Sequence, residues 1–120
     1  MADELKITQQ MILINGSLRK QIAPTTLSIT QDAAQAYEDV NSIPTSEESV
    51  TTFGSIGTEG WCYLQNIDTT NYVEWGFSTG VYGGRLEAGE TAMFRLNPAA
   101  NLYLKSNTAA CLVQIVVFED

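Results

Sequence analysis

The sequence predicts an all-β fold, an antiparallel β-sandwich that is jelly-roll-like and built from eight or nine short strands. Three observations predict it. Apolar residues mostly alternate with polar ones, the period of a strand with one covered face. Gly, Asn, Asp and Pro recur between the apolar runs at strand-like spacing. No segment has the 3.6-residue periodicity of a long amphipathic helix. Each strand then has one apolar face, and two packed sheets cover both sets of faces.

The first strand runs over Leu5 to Ile14, alternating at first and then fully apolar from Met11. Asn15-Gly16 is a strong turn signal; with Ser17 it matches a glycosylation sequon, read here as a turn. Leu18 to Ile22 follows, broken at Pro24 and continued by Thr26 to Thr30, with Leu27 and Ile29 on one face. A proline cannot donate to a ladder, so an edge position or a break is expected. Gln31 to Asp39 reads either as a short helix or as extended chain, with a weak strand over Tyr37 to Ile43. Ser49 to Phe53 is a short β-branched run, and Gly54, Gly57 and Gly60 mark an irregular link. Trp61 to Ile67, the turn Asp68-Thr69-Thr70-Asn71 and Tyr72 to Phe77 read as a hairpin. Arg85-Leu86, Thr91 to Leu96, Leu102 to Lys105 and Cys111 to Phe118 complete the set. The expected core is Leu27, Ile29, Trp61 or Cys62, Leu64, Val73, Trp75, Phe94, Leu96, Leu102, Leu104, Cys111, Val113, Ile115 and Val117.

At 120 residues the chain is expected to form a single domain over 1–120, with Met1 to Gln10 either an N-terminal arm or an internal strand. The longest apolar run, Ile115 to Phe118, is too short to span a bilayer, so no membrane association is expected. The start Met1-Ala2-Asp3-Glu4-Leu5-Lys6 lacks the basic-then-apolar pattern of a secretory signal, and synthesis in the cytoplasm is expected.

Net charge is −8. No base occurs from Gln21 to Gly84, a stretch that holds Asp32, Glu38, Asp39, Glu47, Glu48, Glu59, Asp68 and Glu74. Such a surface repels phosphates and anionic lipid, so no nucleic-acid partner is expected.

With no histidine, serine–histidine and cysteine–histidine nucleophile systems are absent from the chain itself. Cys62 and Cys111 lie in apolar runs and read as buried free thiols, with a disulfide open if their strands are neighbours. Their spacing matches no zinc pattern, and no metal or cofactor is expected. Asp68, Glu74, Glu87 and Glu90 are the carboxylates available for acid–base work, but they read as solvated turn positions. The expectation is therefore a protein that is not an enzyme.

Aromatic residues are the remaining candidates. Trp61 and Tyr63 share a strand face opposite Cys62 and Leu64, and both faces are apolar. One of them is expected to be covered by something else, such as a second subunit. Tyr72 stands at the turn, and Tyr82, set between glycines, is expected to be exposed. Trp61, Tyr63, Tyr72 and Tyr82 are thus the candidate interface or ligand surface.

The segments Asn66-Ile67-Asp68-Thr69-Thr70-Asn71-Tyr72-Val73-Glu74-Trp75-Gly76 and Leu86-Glu87-Ala88-Gly89-Glu90-Thr91-Ala92-Met93-Phe94-Arg95-Leu96 resemble strand–turn–strand motifs of small β-sandwich virion proteins of tailed bacteriophages. Leu102 to Lys105 followed by Cys111 to Glu119 is similar to their C-terminal hairpin, and Ile43 to Glu48 echoes the same family. The resemblance covers Thr58 to Asp120 and concerns turns that carry the fold. It implies a structural protein of the virion, made in the host cytoplasm; small size, high negative charge and the lack of a fibrous repeat favour the capsid decoration or cement type among the places such domains take. It further implies a major capsid protein or another virion protein as partner, and a homo-oligomer such as a trimer. The competing expectation is a carbohydrate-binding or host-adhesion module of a tail, neck or fibre, with sugars stacking near Tyr63, Tyr72 or Tyr82.

Overall fold

The structure is a computed structural model, and it describes residues 4–51 and 53–120. Among the described residues, ten strands form three antiparallel sheets. The chain divides into two compact units, Met1–Asp32 and Ala33–Asp120. The sequence expectation was one domain over 1–120, with Met1 to Gln10 either an arm or an internal strand. Of that arm, Met1, Ala2 and Asp3 lie outside the described residues, as does Thr52 in the expected run Ser49 to Phe53.

The first unit is a long hairpin of β1 (Leu5–Asn15) and β2 (Leu18–Ile29). Gly16 takes the first of the two loop positions with φ of 59°, the sign a type II′ turn needs. Of the two expectations for Pro24, an edge position or a break, the edge position holds, and the strand continues through it with a register shift. Gln9 pairs with Thr25 and Met11 with Ile22, so Gln10 faces both Ala23 and Pro24. A two-stranded sheet has only edges, which is why the proline is tolerated.

The second unit holds β3 (Ala36–Ile43), β4 (Glu48–Val50), β5 (Glu59–Asn66), β6 (Val73–Gly76), β7 (Gly84–Leu86), β8 (Thr91–Arg95), β9 (Leu102–Ser106) and β10 (Cys111–Glu119). The region open to helix or extended chain is thus strand from Ala36. One sheet has the order β3-β10-β5-β8 and the other β4-β9-β6-β7. The pairing across the two sheets is nested: β3 with β10, β4 with β9, β5 with β8, β6 with β7.

This corrects the expected hairpin of Trp61 to Ile67 with Tyr72 to Phe77. Its strands β5 and β6 lie in different sheets. The expected C-terminal hairpin is corrected in the same way, because β9 and β10 also lie in different sheets. The physical reason is that alternation specifies an apolar face without saying which sheet carries it. At Asp68 the chain turns from one sheet to the other.

Both sheets contribute to one core cluster. It contains Ile43, Phe53, Cys62, Leu64, Val73, Leu86, Leu96, Leu102, Leu104, Cys111, Val113, Ile115 and Val117. In β5 and β10 alternate residues are buried, so Cys62 takes the core position and Trp61 does not. Trp75 and Phe94 are half-buried against the cluster. Leu27, expected in the core, is 43% exposed on the hairpin. Ile43, Phe53 and Leu86 were not among the expected core residues, because each stands at the end of a short or irregular run.

Candidate interaction surface

The outward face of the β3-β10-β5-β8 sheet is more apolar than a solvated face needs to be. Register sets Tyr63 between Met93 on β8 and Val116 on β10, and pairs Trp61 with Arg95. The Arg95 guanidinium lies 5.9 Å from the Trp61 ring centroid and pairs with Asp120 at 3.2 Å. Trp61 Nε1 is buried with no hydrogen-bond acceptor among the described residues. Nearer the other end of the face stand Val40, Leu112 and Ile67, all exposed. Leu112 is flanked by Ser42 of β3 and, through the Ile67 N–H to Leu112 carbonyl bond of 2.9 Å, by Ile67. Glu38 and Asp39 lie on the bordering strand β3, where the Glu38 carboxylate accepts from Gln114 Nε2 at 2.7 Å.

Tyr72 and Tyr82 flank strands of the other sheet and do not join Trp61 and Tyr63. One face of the Tyr72 ring is covered by the Arg85 guanidinium, 3.8 Å from its centroid. Tyr82, expected to be exposed, is half-buried and donates its hydroxyl to Glu47. Glu47 also accepts from the Thr79 hydroxyl and from the Gly80 N–H at 2.7 Å, which fastens the loop between β6 and β7. Gly76 is required here, because a Cβ would collide with the Val81 carbonyl.

These bonds hold the Glu47 carboxyl below the usual carboxylate range, with Thr79 the largest cause, then Tyr82 and Gly80. The bond to Glu47 likewise pushes Tyr82 up to about 12. A depressed carboxylate contributes stability that is present above its unfolded value of 4.5 and lost as pH falls through its folded value. A raised phenol contributes stability that is present below 10.0 and lost as pH rises toward 12. Melting curves of the wild type and Tyr82→Phe should therefore differ most at neutral pH. The gap should narrow above pH 10.0, and a gap independent of pH would contradict the assignment.

Below this loop, Trp75 stacks on Phe94 with centroids 4.8 Å apart, and Phe77 meets both edge-on at 5.7 Å. A shallow apolar depression of about 410 Å³ runs along Trp75, Phe77 and Val81.

The hairpin unit is where sequence reasoning fell furthest short. Toward its open end one face carries Leu5, Ile7, Leu27 and Ile29, and the other is polar. On the polar face Lys6 Nζ donates to Ser28 Oγ at 3.3 Å, and the Thr8 and Thr26 hydroxyls bond at 3.0 Å. Toward the turn both faces are apolar. Met11, Leu13, Leu18 and Ile22 share one, and Ile12 and Ile14 the other. All six are exposed, with Met11 at 68% and Ile14 at 62%. Arg19 and Lys20 stand among them, and among the described residues no ion pair involves either. The signal was present in the unbroken run Met11 to Ile14, which suits a strand covered on both faces.

Among the carboxylates considered for catalysis, Asp68 and Glu90 hold local turns. Asp68 accepts from the N–H groups of Asn71 at 2.6 Å and Thr70 at 2.9 Å, which hold its carboxyl below the usual range. Glu90 accepts from the Glu87 N–H at 2.8 Å. Cys62 and Cys111 are free and buried, and burial pushes Cys62 up to about 12. Among the described residues no group of three or more acids and cysteines is placed to hold a metal ion. No known protein family, curated protein or solved structure matches the chain.

Proposed function

We propose that the chain is a non-enzymatic structural protein of a bacteriophage particle, of the capsid decoration or cement type. Its second unit is read as an eight-stranded jelly-roll sandwich. Nested pairing of eight strands, split into two sheets with one shared core cluster, supports that reading.

The observation that carries the function is the turn half of the hairpin. An isolated two-stranded ribbon is marginally stable in water, and this one exposes large apolar side chains on both faces. Such a surface marks a protein–protein contact. An assembly protein has a use for it; a solitary soluble domain does not. The outward row of Trp61, Tyr63, Met93 and Val116 adds a second surface of the same kind. The acidic second unit suits an exposed place away from nucleic acid.

Mass spectrometry of purified particles, followed by particle reconstruction, tests the reading. The protein is expected in particles at a fixed ratio to the major capsid protein, with density on the outer surface. Presence in infected-cell lysate together with absence from particles would overturn it.

A further inference from the structure

The two units carry very different charge. Within Met1–Asp32 the acids Asp3, Glu4 and Asp32 are balanced by Lys6, Arg19 and Lys20, so the whole −8 resides on Ala33–Asp120. From Met11 to Ile22 there is no acid, while Arg19 and Lys20 are both present. Second units therefore repel one another, and the hairpin turn is the cationic, apolar surface that answers an anionic, apolar one.

We propose that the turn half of the hairpin docks on the outward face of the β3-β10-β5-β8 sheet of a second copy of this chain. Arg19, on the same ribbon face as Ile12 and Ile14, then lies against Glu38, which shares the outward face of Val40, while Ile12 and Ile14 cover Val40 and Leu112; Lys20 and Asp39, on the opposite faces of their strands, meet at the rim of the contact. The acceptor is chosen by the same complementarity. Val40 and Leu112 are 48% and 50% exposed, and β3 beside them is an edge strand bearing both acids. Neither Glu38 nor Asp39 has an ion-pair partner among the described residues. The contact joins unlike surfaces, so it is heterologous and either closes into a ring or propagates as a chain. This deepens the assembly reading above and rests on it.

Light scattering and sedimentation of the full chain test it with two charge-reversed variants, Arg19→Glu/Lys20→Glu and Glu38→Lys/Asp39→Lys. The wild type is expected to associate with rising concentration, less so at high salt. Each variant alone should associate at least about tenfold more weakly. An equimolar mixture of the two should regain association, because each tip then meets a face of opposite sign. Recovery in the mixture also shows that both variants are folded. As a second readout, carbodiimide treatment of mixed light- and heavy-isotope wild type should link Lys20 of one chain to Glu38 or Asp39 of another.

A chain that stays monomeric throughout overturns the inference. So do reversals without effect and a mixture that fails to recover. In each of these cases the particle experiment still stands by itself: a monomer found in particles retires self-docking and keeps the structural role, whereas absence from particles retires the role.

Discussion

Asn66→Ala is expected to lower the unfolding free energy by about 3 kcal/mol, a loss of roughly 12–24 °C in melting temperature for a unit of this size. Asn66 is fully buried at the end of β5. Its Nδ2 donates to the carbonyls of Asn71 at 2.9 Å and Leu86 at 3.1 Å, and its Oδ1 accepts from the Asp68 N–H at 3.0 Å. The side chain thereby ties the turn between β5 and β6 to the last residue of β7. Alanine removes all three bonds and leaves the Leu86 carbonyl without its partner in a dry place. Each buried group abandoned this way costs about 1–3 kcal/mol, and the half-exposed Asn71 and Asp68 groups recover part of theirs from water.

Asn66→Asp sharpens the test. It keeps an acceptor for Asp68, loses the donor to both carbonyls, and at neutral pH places a charge where none is solvated. It should be at least as destabilising at pH 7 as alanine and should recover on acidification. Urea unfolding of both variants checks this, and a loss below about 1 kcal/mol for alanine would show that the corner does not depend on the side chain.

Asn66 also shows what the sequence did and did not disclose. The β class, most strand positions and the core residues of β5, β9 and β10 were legible, because period-two alternation is local. The sheet to which each strand belongs was not. Asp68 and Asn71 look like hairpin-turn residues in isolation, and only the distant Leu86 carbonyl explains why Asn66 precedes them. The four candidate aromatics divided for a similar reason. Trp61 and Tyr63 follow from alternation and face outward together. Tyr82 was expected to be free, because its partner Glu47 lies 35 residues away and no local pattern links them. The hairpin was half legible: Asn15-Gly16 gave the turn and the unbroken run Met11 to Ile14 gave the change from one apolar face to two, but the register shift at Gln10 depends on pairing across the strands that no local pattern reveals.

That change of faces leads to the prediction of largest functional effect. Ile12→Thr/Ile14→Thr is expected to weaken particle association at least about a hundredfold while leaving the melting temperature unchanged. Threonine is β-branched, so strand propensity is preserved and the ribbon itself is not penalised. In the free chain Ile12 and Ile14 are 53% and 62% exposed, so little packing is lost there. In an assembly that covers them, each isoleucine contributes about 1.5–3 kcal/mol, and the pair therefore sets two or more decades of affinity. Met11→Thr/Leu13→Thr probes the opposite face. A loss from both pairs means that the ribbon inserts between two surfaces, and a loss from one means that it lies flat on a single surface. Thr26→Ala, on the polar face toward the open end, should leave binding unchanged. Occupancy on particles, read by quantitative mass spectrometry across a concentration series, separates these outcomes. Undiminished occupancy for both isoleucine and methionine–leucine variants would remove the hairpin from the interface.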